Sequence, residues 1–160
     1  VAFALYDDDL FRAHDTGPGH PERPERLDAV RRGLRESGLE GELTLIPPRP
    51  ATTPELLRVH TEEHLTRVAA TRGHFVRFDP DTQASPRSYE AARLAAGAVV
   101  DAVDRVLAGD FERAFCAVRP PGHHAEPGRA MGFCLFNNVA VAAAHALARG
   151  LQRVAVIDFD

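Results

Sequence analysis

The chain has 160 residues, 44% hydrophobic and 26% charged, which is the balance of an ordinary globular protein and far from that of a disordered or collagen-like one. A formal net charge of -4 gives no basic footprint for direct nucleic-acid binding, and no segment approaches the ~20 apolar residues of a membrane span. Cys116 and Cys134 lack the spacing of a zinc ribbon or a disulfide framework, and VAFALYDDDL lacks the basic start of a signal peptide, so a reducing cytoplasm is the expected location.

Val1 to Tyr6 reads as a first strand. The Gly/Pro-punctuated loop HDTGPGHPERPERL then turns into a helix with Leu27, Val30 and Leu34 at helical spacing, ending near Gly38. Leu43 to Ile46 is a short strand stopped by Pro47-Pro48. Thr53-Pro54 has the order of an N-cap and a first-turn proline, Thr61 can cap a second helix, and Ser85-Pro86 repeats the pattern before a long helix to about Leu107. Ala91, Leu94, Ala95, Ala98, Val99, Ala102, Val103 and Val106 cover more than one stripe of that helix, which predicts packing on several sides before Gly109 ends it. Ala114 to Val118 reads as a buried strand, Arg119 to Gly132 as an irregular loop, Asn137 to Ala148 as a helix and Arg153 to Phe159 as another unbroken apolar strand. Apolar strands joined through helices argue for an α/β domain with a parallel sheet covered on both faces. With no repeat and no linker in sight, residues 1–160 read as one incomplete domain, because the last strand stops at its polar end.

Ligands of open parallel sheets collect outside the carboxyl ends of the strands. Two such ends carry polar groups here: Arg119-Pro120-Pro121-Gly122-His123-His124 and Asp158-Phe159-Asp160. Alternation along a strand puts Asp158 and Asp160 on one side, as suits a metal ligand and a supporting carboxylate. Adjacent histidines serve one pocket only on irregular backbone, which Pro120, Pro121 and Gly122 supply. A carboxylate bonded to one ring nitrogen would fix the tautomer and raise the basicity of the other, so His123 or His124 with Asp158 is a candidate dyad. The competing reading is a solvated His-His loop and two acids capping a following helix. His14, His60, His64, His74 and His145 read as structural or solvated, and His20 stands apart only through its GHPERPERL context. Cys134 is a possible nucleophile with His124 or, more commonly for its type, a small buried residue.

RPPGHHAEPGRAMGFCLFNN at 119–138, followed by VAVIDFD at 154–160, resembles the histone deacetylase family, in its class II and bacterial branch. GHPERPERL at 19–27 and DPDTQASPRSYEAA at 79–92 are similar to the family's early motifs, so the likeness runs along nearly the whole chain. The resemblance implies the arginase–deacetylase fold, with roughly the first half of its sheet here. It implies His123 and His124 as the tandem catalytic histidines, with His124 the general base and acid and His123 paired to Asp158. Asp160 matches the first zinc ligand, and Asp158 with the backbone around it helps to hold a potassium ion. Gly132 and Phe133 match the lining of a narrow acyl-lysine channel, Arg26 an arginine near an internal cavity behind the metal, and Asp81 a rim carboxylate that grips substrate.

The implied reaction is zinc-dependent hydrolysis of an acetylated lysine or a small acetylated amine to free amine and acetate. Family members continue past the first aspartate ligand with the remaining zinc ligands, so this stretch alone is expected neither to hold zinc tightly nor to deacetylate. An acetylpolyamine amidohydrolase and an acetoin-utilisation type protein share the tandem histidines, and a non-catalytic acyl-lysine-binding pseudoenzyme is the alternative of another class. The motif RPPGHH argues against a two-manganese ureohydrolase such as arginase.

Overall fold

Three short strands run parallel in the order β2-β1-β5, with β1 at Phe3–Tyr6 in the middle. This computed structural model describes residues 3–160, so Val1 and Ala2 of the predicted first strand lie outside the described residues. From β1 the chain passes a 3-10 turn at Asp9–Ala13, helix α1 (Glu25–Glu36) and a second 3-10 turn into β2 (Leu43–Ile46). Helices α2 (Thr53–Leu56) and α3 (Glu62–Ala69) follow, then the two-residue strands β3 (Val76–Arg77) and β4 (Gln83–Ala84), which pair antiparallel. Helix α4 (Ser88–Ala108) leads to β5 (Arg113–Cys116), and α5 (Asn138–Ala148) closes the helical part. Phe3 pairs with Leu43 on one side and Arg113 on the other, and Tyr6 with Ile46 and Cys116. This is a parallel sheet flanked by helices.

Alternation along β1 sorts the core. Ala4, Tyr6 and Ile46 pack against Ala98 and Ala102 of α4. Leu5 points the other way and joins Phe11, Leu27 and Ala117. The many alanines of α4 let neighbours come close on several sides, and Gly97 marks the tightest approach. A Cβ added there would lie 1.9 Å from the carbonyl oxygen of Arg49. The same segment is tied to α4 by the Ala51 amide, which donates to the Arg93 carbonyl at 2.8 Å.

Several local expectations are corrected. The cap of α2 is Thr52, not Thr53; its hydroxyl accepts from the Glu55 amide while the Glu55 carboxylate accepts from the Thr52 amide at 2.7 Å, a reciprocal capping box. Helix α4 starts at Ser88 and not after Ser85-Pro86, because the Ser88 hydroxyl reaches back to accept from the Ser85 amide at 2.7 Å. Thr61 does cap α3, and Gly109 ends α4 in the left-handed conformation at φ 81. On α1 only Leu27 is buried, while Val30 is 37% exposed. Strand β5 is not of the buried type either, with Phe115 44% exposed on it.

The predicted strand at 153–159 does not form. Residues 153–160 make no ladder with any described strand, and Ile157 and Phe159 stand 86% and 94% exposed. Val154 to Ile157 instead line a shallow cleft with Val103 of α4 and Val139, Ala142 and Ala146 of α5. An apolar run has strand propensity, but a strand exists only where a neighbour supplies hydrogen bonds, and β5 pairs with β1 alone among the described residues.

Replacing Gly97 by Ala is expected to cost about 3 kcal/mol, because the added methyl overlaps backbone that cannot turn aside. The midpoint of urea unfolding measures it.

Candidate active site

The loop after β5 carries the site, and its entry is fixed by one buried arginine. The Arg119 guanidinium donates to both Glu22 carboxylate oxygens at 2.5 and 2.7 Å, and to the carbonyls of Phe11 and His14 at 2.7 and 3.0 Å. Arg119 and Glu22 are both almost completely buried. A paired, hydrogen-bonded charge is the form in which such groups tolerate burial.

Beyond Arg119 the loop is pinned to the start of α5. Gly122 permits the contact, since a Cβ there would meet the Asn138 amide nitrogen at 2.4 Å. The Asn138 side-chain amide donates to the Pro120 carbonyl at 3.1 Å. That of Asn137 donates to the Ala125 carbonyl at 3.0 Å, while its oxygen caps α5 by accepting from the Ala140 amide. His60 supports this from α2–α3. Its Nε2 accepts from the Asn137 amide at 2.9 Å, which leaves Nδ1 to donate to the Glu126 carbonyl at 3.1 Å. His64 stacks beside it, ring centroids 4.8 Å apart, and donates from Nε2 to the Leu135 carbonyl.

These contacts hold His123 and His124 at one cleft, their rings 4.2 Å apart and inclined by 60°. His123 Nδ1 lies 2.9 Å from Asp158 Oδ2 and its Nε2 3.7 Å from Asp160 Oδ2. With Nδ1 donating to Asp158, Nε2 is an acceptor facing the cleft. The Asp160 amide, 3.2 Å from Asp158 Oδ1, and the His123 ring together hold the Asp158 carboxyl below the usual carboxylate range. Of the two dyads the sequence allowed, the one with His123 is the one formed. Donor atoms of His123, His124 and Asp160 all fall within 4.8 Å of one another, a separation that a single metal ion can bridge.

The cleft, of about 370 Å³, is lined by Arg26, His123, His124, Gly132, Phe133 and Asp160 among others. Gly132 lies flat against the histidine, since a Cβ would come within 2.6 Å of the His124 Cβ and Cγ. Phe133 has φ 68, the one positive value at a non-glycine among the described residues, and its amide donates to the Thr82 hydroxyl at 3.1 Å. Arg26 also borders a second, adjacent cavity of about 200 Å³, with Glu22, Leu27, Val118 and Arg119. Asp81 is exposed and is not among the residues lining this cleft; it sits in a turn where Asp79 accepts from the Asp81 and Thr82 amides.

Cys134 is fully buried, and burial pushes its thiol up to about 11, against the opposing pull of the His124 and Ala125 amides. A protonated thiol without access is not a nucleophile, so the cysteine reading loses its basis. Of the other histidines, read as structural or solvated, four are structural. His14, His60, His64 and His145 are buried, and two of them brace the site loop. Their separation in sequence hides this, as it hides the Glu22–Arg119 pair, whose partners lie 97 positions apart inside two motifs that were each conspicuous alone.

The histone deacetylase domain family matches residues 20–160. This chain belongs to that family. It is 47% identical over 156 residues to the protein slr0245 of Synechocystis, covering 94% of this chain and 51% of that one. It is 45% identical over 144 residues to a histone deacetylase-like amidohydrolase of Pseudomonas aeruginosa, covering 89% and 38%. The crystal structure of the HDA15 HD domain superposes with a TM-score of 0.89 at 41% identity, over 93% of this chain and 44% of the other. The chain thus spans about half, or less, of the proteins it matches. The arginase–deacetylase fold expected from the motifs agrees with that superposition. No helix among the described residues is long and apolar enough to cross a membrane.

Burial lowers the pKa of His14 to about 3 and of His60 to about 4, and that of His64 also falls. All three are therefore neutral in the fold yet take up protons near their ordinary value of 6.5 once unfolded. Stability is then full above pH 6.5 and declines as the pH falls toward about 4. A drop in Tm of about 5 °C or more is expected between pH 7 and pH 4.5, with a shallower acid limb in His60→Gln. Thermal scans at constant ionic strength measure it.

Proposed function

We propose that the whole protein, of which residues 1–160 form the N-terminal portion of one catalytic domain, hydrolyses an acetylated lysine or a small acetylated amine to free amine and acetate. The reading rests above all on one observation: the His123–Asp158 pair, His124 and Asp160 meet Gly132 and Phe133 in a single cleft. Membership of a family whose matched relatives include a named amidohydrolase supports the reaction class.

Zinc is the proposed metal, with Asp160 as one ligand, and a bound zinc ion supplies Lewis-acid polarisation of a carbonyl and acidification of water. A carboxylate such as that of Asp160 is a donor that suits zinc. The chain's own residues handle the protons. His124, at the cleft and against Gly132, is assigned to take the proton from the attacking water and return it to the departing amine. His123 keeps Nε2 as an acceptor through its bond to Asp158, so a proton gained there is stabilised by that carboxylate. Asp158 also helps to hold a potassium ion with the backbone beside it. The Gly132 carbonyl is assigned to accept the substrate amide hydrogen; in this structure the Cys134 thiol lies 3.1 Å from that oxygen. Phe133 forms one wall of the channel, Asp81 grips the substrate at the rim, and Arg26 serves the rear cavity. The protein works in the cytoplasm without direct nucleic-acid contact, in keeping with a net charge of -4.

In the whole protein, Asp160→Ala is expected to abolish both zinc retention and turnover. His124→Ala should keep stoichiometric zinc by atomic absorption while kcat falls about 10²–10⁴-fold. Loss of zinc in the His124 variant would make that imidazole a ligand instead. A panel of acetyl-lysine peptides and acetylated polyamines identifies the substrate, and retained binding without turnover of either would favour a pseudoenzyme.

A further inference from the structure

Phe133 is held from two directions by residues that take no part in the proposed proton transfers. Its backbone sits in the left-handed region at φ 68, where a bulky residue persists only when its surroundings over-determine it. One constraint is the hydrogen bond from its amide to the buried Thr82 hydroxyl, and Thr82 is itself fixed by its amide donating to Asp79 Oδ1 at 2.7 Å. The other is His20. Its imidazole meets the Phe133 ring edge to face, with centroids 4.7 Å apart and planes at 77°.

The His20 ring is in turn locked by both nitrogens. Nε2 lies 3.0 Å from the carbonyl oxygen of Asp81, so it carries the hydrogen and donates. Nδ1 sits against Glu22, 2.9 Å from its carbonyl oxygen and 3.1 Å from its amide nitrogen. His20 therefore joins Phe133 at the cleft to two neighbouring segments: the turn at Asp79–Thr82, and the stretch whose Glu22 pairs with Arg119 at the root of the histidine loop. An edge-to-face contact fixes ring tilt as well as ring position. Phe133 lines the cleft together with Gly132 and His124.

We infer that His20 is a positioning residue for acyl-chain selection, holding the Phe133 ring at the tilt that admits a short acyl group and excludes longer ones. The inference rests on the proposed hydrolase reading, with Phe133 as channel wall.

The test uses the whole, zinc-loaded protein with acetyl-, propionyl- and butyryl-lysine peptides. Three variants separate the two properties of the side chain: His20→Ala removes ring and donor, His20→Gln keeps a donor without a ring, and His20→Phe keeps a ring without a donor. His20→Ala and His20→Gln are expected to raise KM for the acetyl peptide about tenfold with kcat within about twofold, and to relax the preference for acetyl over butyryl. His20→Phe should recover most of both. Unchanged KM and an unchanged acetyl-to-butyryl ratio in His20→Ala would overturn the inference, as would equal losses in all three variants. Should the wild-type protein hydrolyse none of the peptides, the hydrolase reading fails by itself. The positioning role is then decided by the ¹⁹F resonance of 4-fluorophenylalanine placed at position 133. Shift and broadening in His20→Ala and His20→Gln, with recovery in His20→Phe, would support it, and a line unmoved in all three would end it.

Discussion

Everything in the site hangs from a buried guanidinium. Arg119 is buried with Glu22, and it donates two further hydrogens to the carbonyls of Phe11 and His14. Those three partners belong to the segment between β1 and α1, so one side chain joins the loop after the first strand to the loop after β5. Either charge alone in that position would be costly, on the order of 3–5 kcal/mol after loss of its partner. The two loops consequently fold as one body or not at all. The histidines, four and five residues further on, inherit their position from this anchor.

What carries the order outward from Arg119 is not sheet but side-chain amide chemistry. Asn137 and Asn138 each spend a side chain on carbonyls of the preceding loop, and His60 closes the set by taking the Asn137 amide hydrogen. A loop without a ladder would ordinarily leave polar backbone groups unpaired in a buried place. Here they are satisfied one at a time, which gives the segment the rigidity a strand would have given without forcing adjacent histidines onto opposite faces. The neutral state of His60 belongs to the same arrangement, since only a neutral imidazole can accept at one nitrogen while donating at the other.

Local signals were legible in the sequence where the cause was local. The helix ends at Thr61 and Gly109, the span of α5 and the extended character of β1, β2 and β5 all follow from capping, glycine and apolar patterning. The tandem histidines and the two aspartates were equally visible, and the fold brings them together. Readings failed where a distant partner decides. Residues 153–159 have the composition of a buried strand, but strand character needs a neighbour that the described residues do not provide. For the buried histidines the sequence left structural and solvated readings side by side, because helical spacing says nothing about which loop will cover them. Glu22, Thr82 and His20 carried no mark of their connection to the cleft, because hydrogen bonds across 50 to 100 positions leave no periodicity to read.

Gly132 makes the cleft tight in a way that bears on motion. With backbone pressed against its Cβ and Cγ, the His124 side chain loses the rotamers on that side, although the opposite side stays open to solvent. Folding has thus already removed part of the orientational freedom that an imidazole would otherwise have to give up when a substrate arrives. One hydrogen in place of a methyl group, at a position named only for its carbonyl, sets the entropy of the neighbouring side chain.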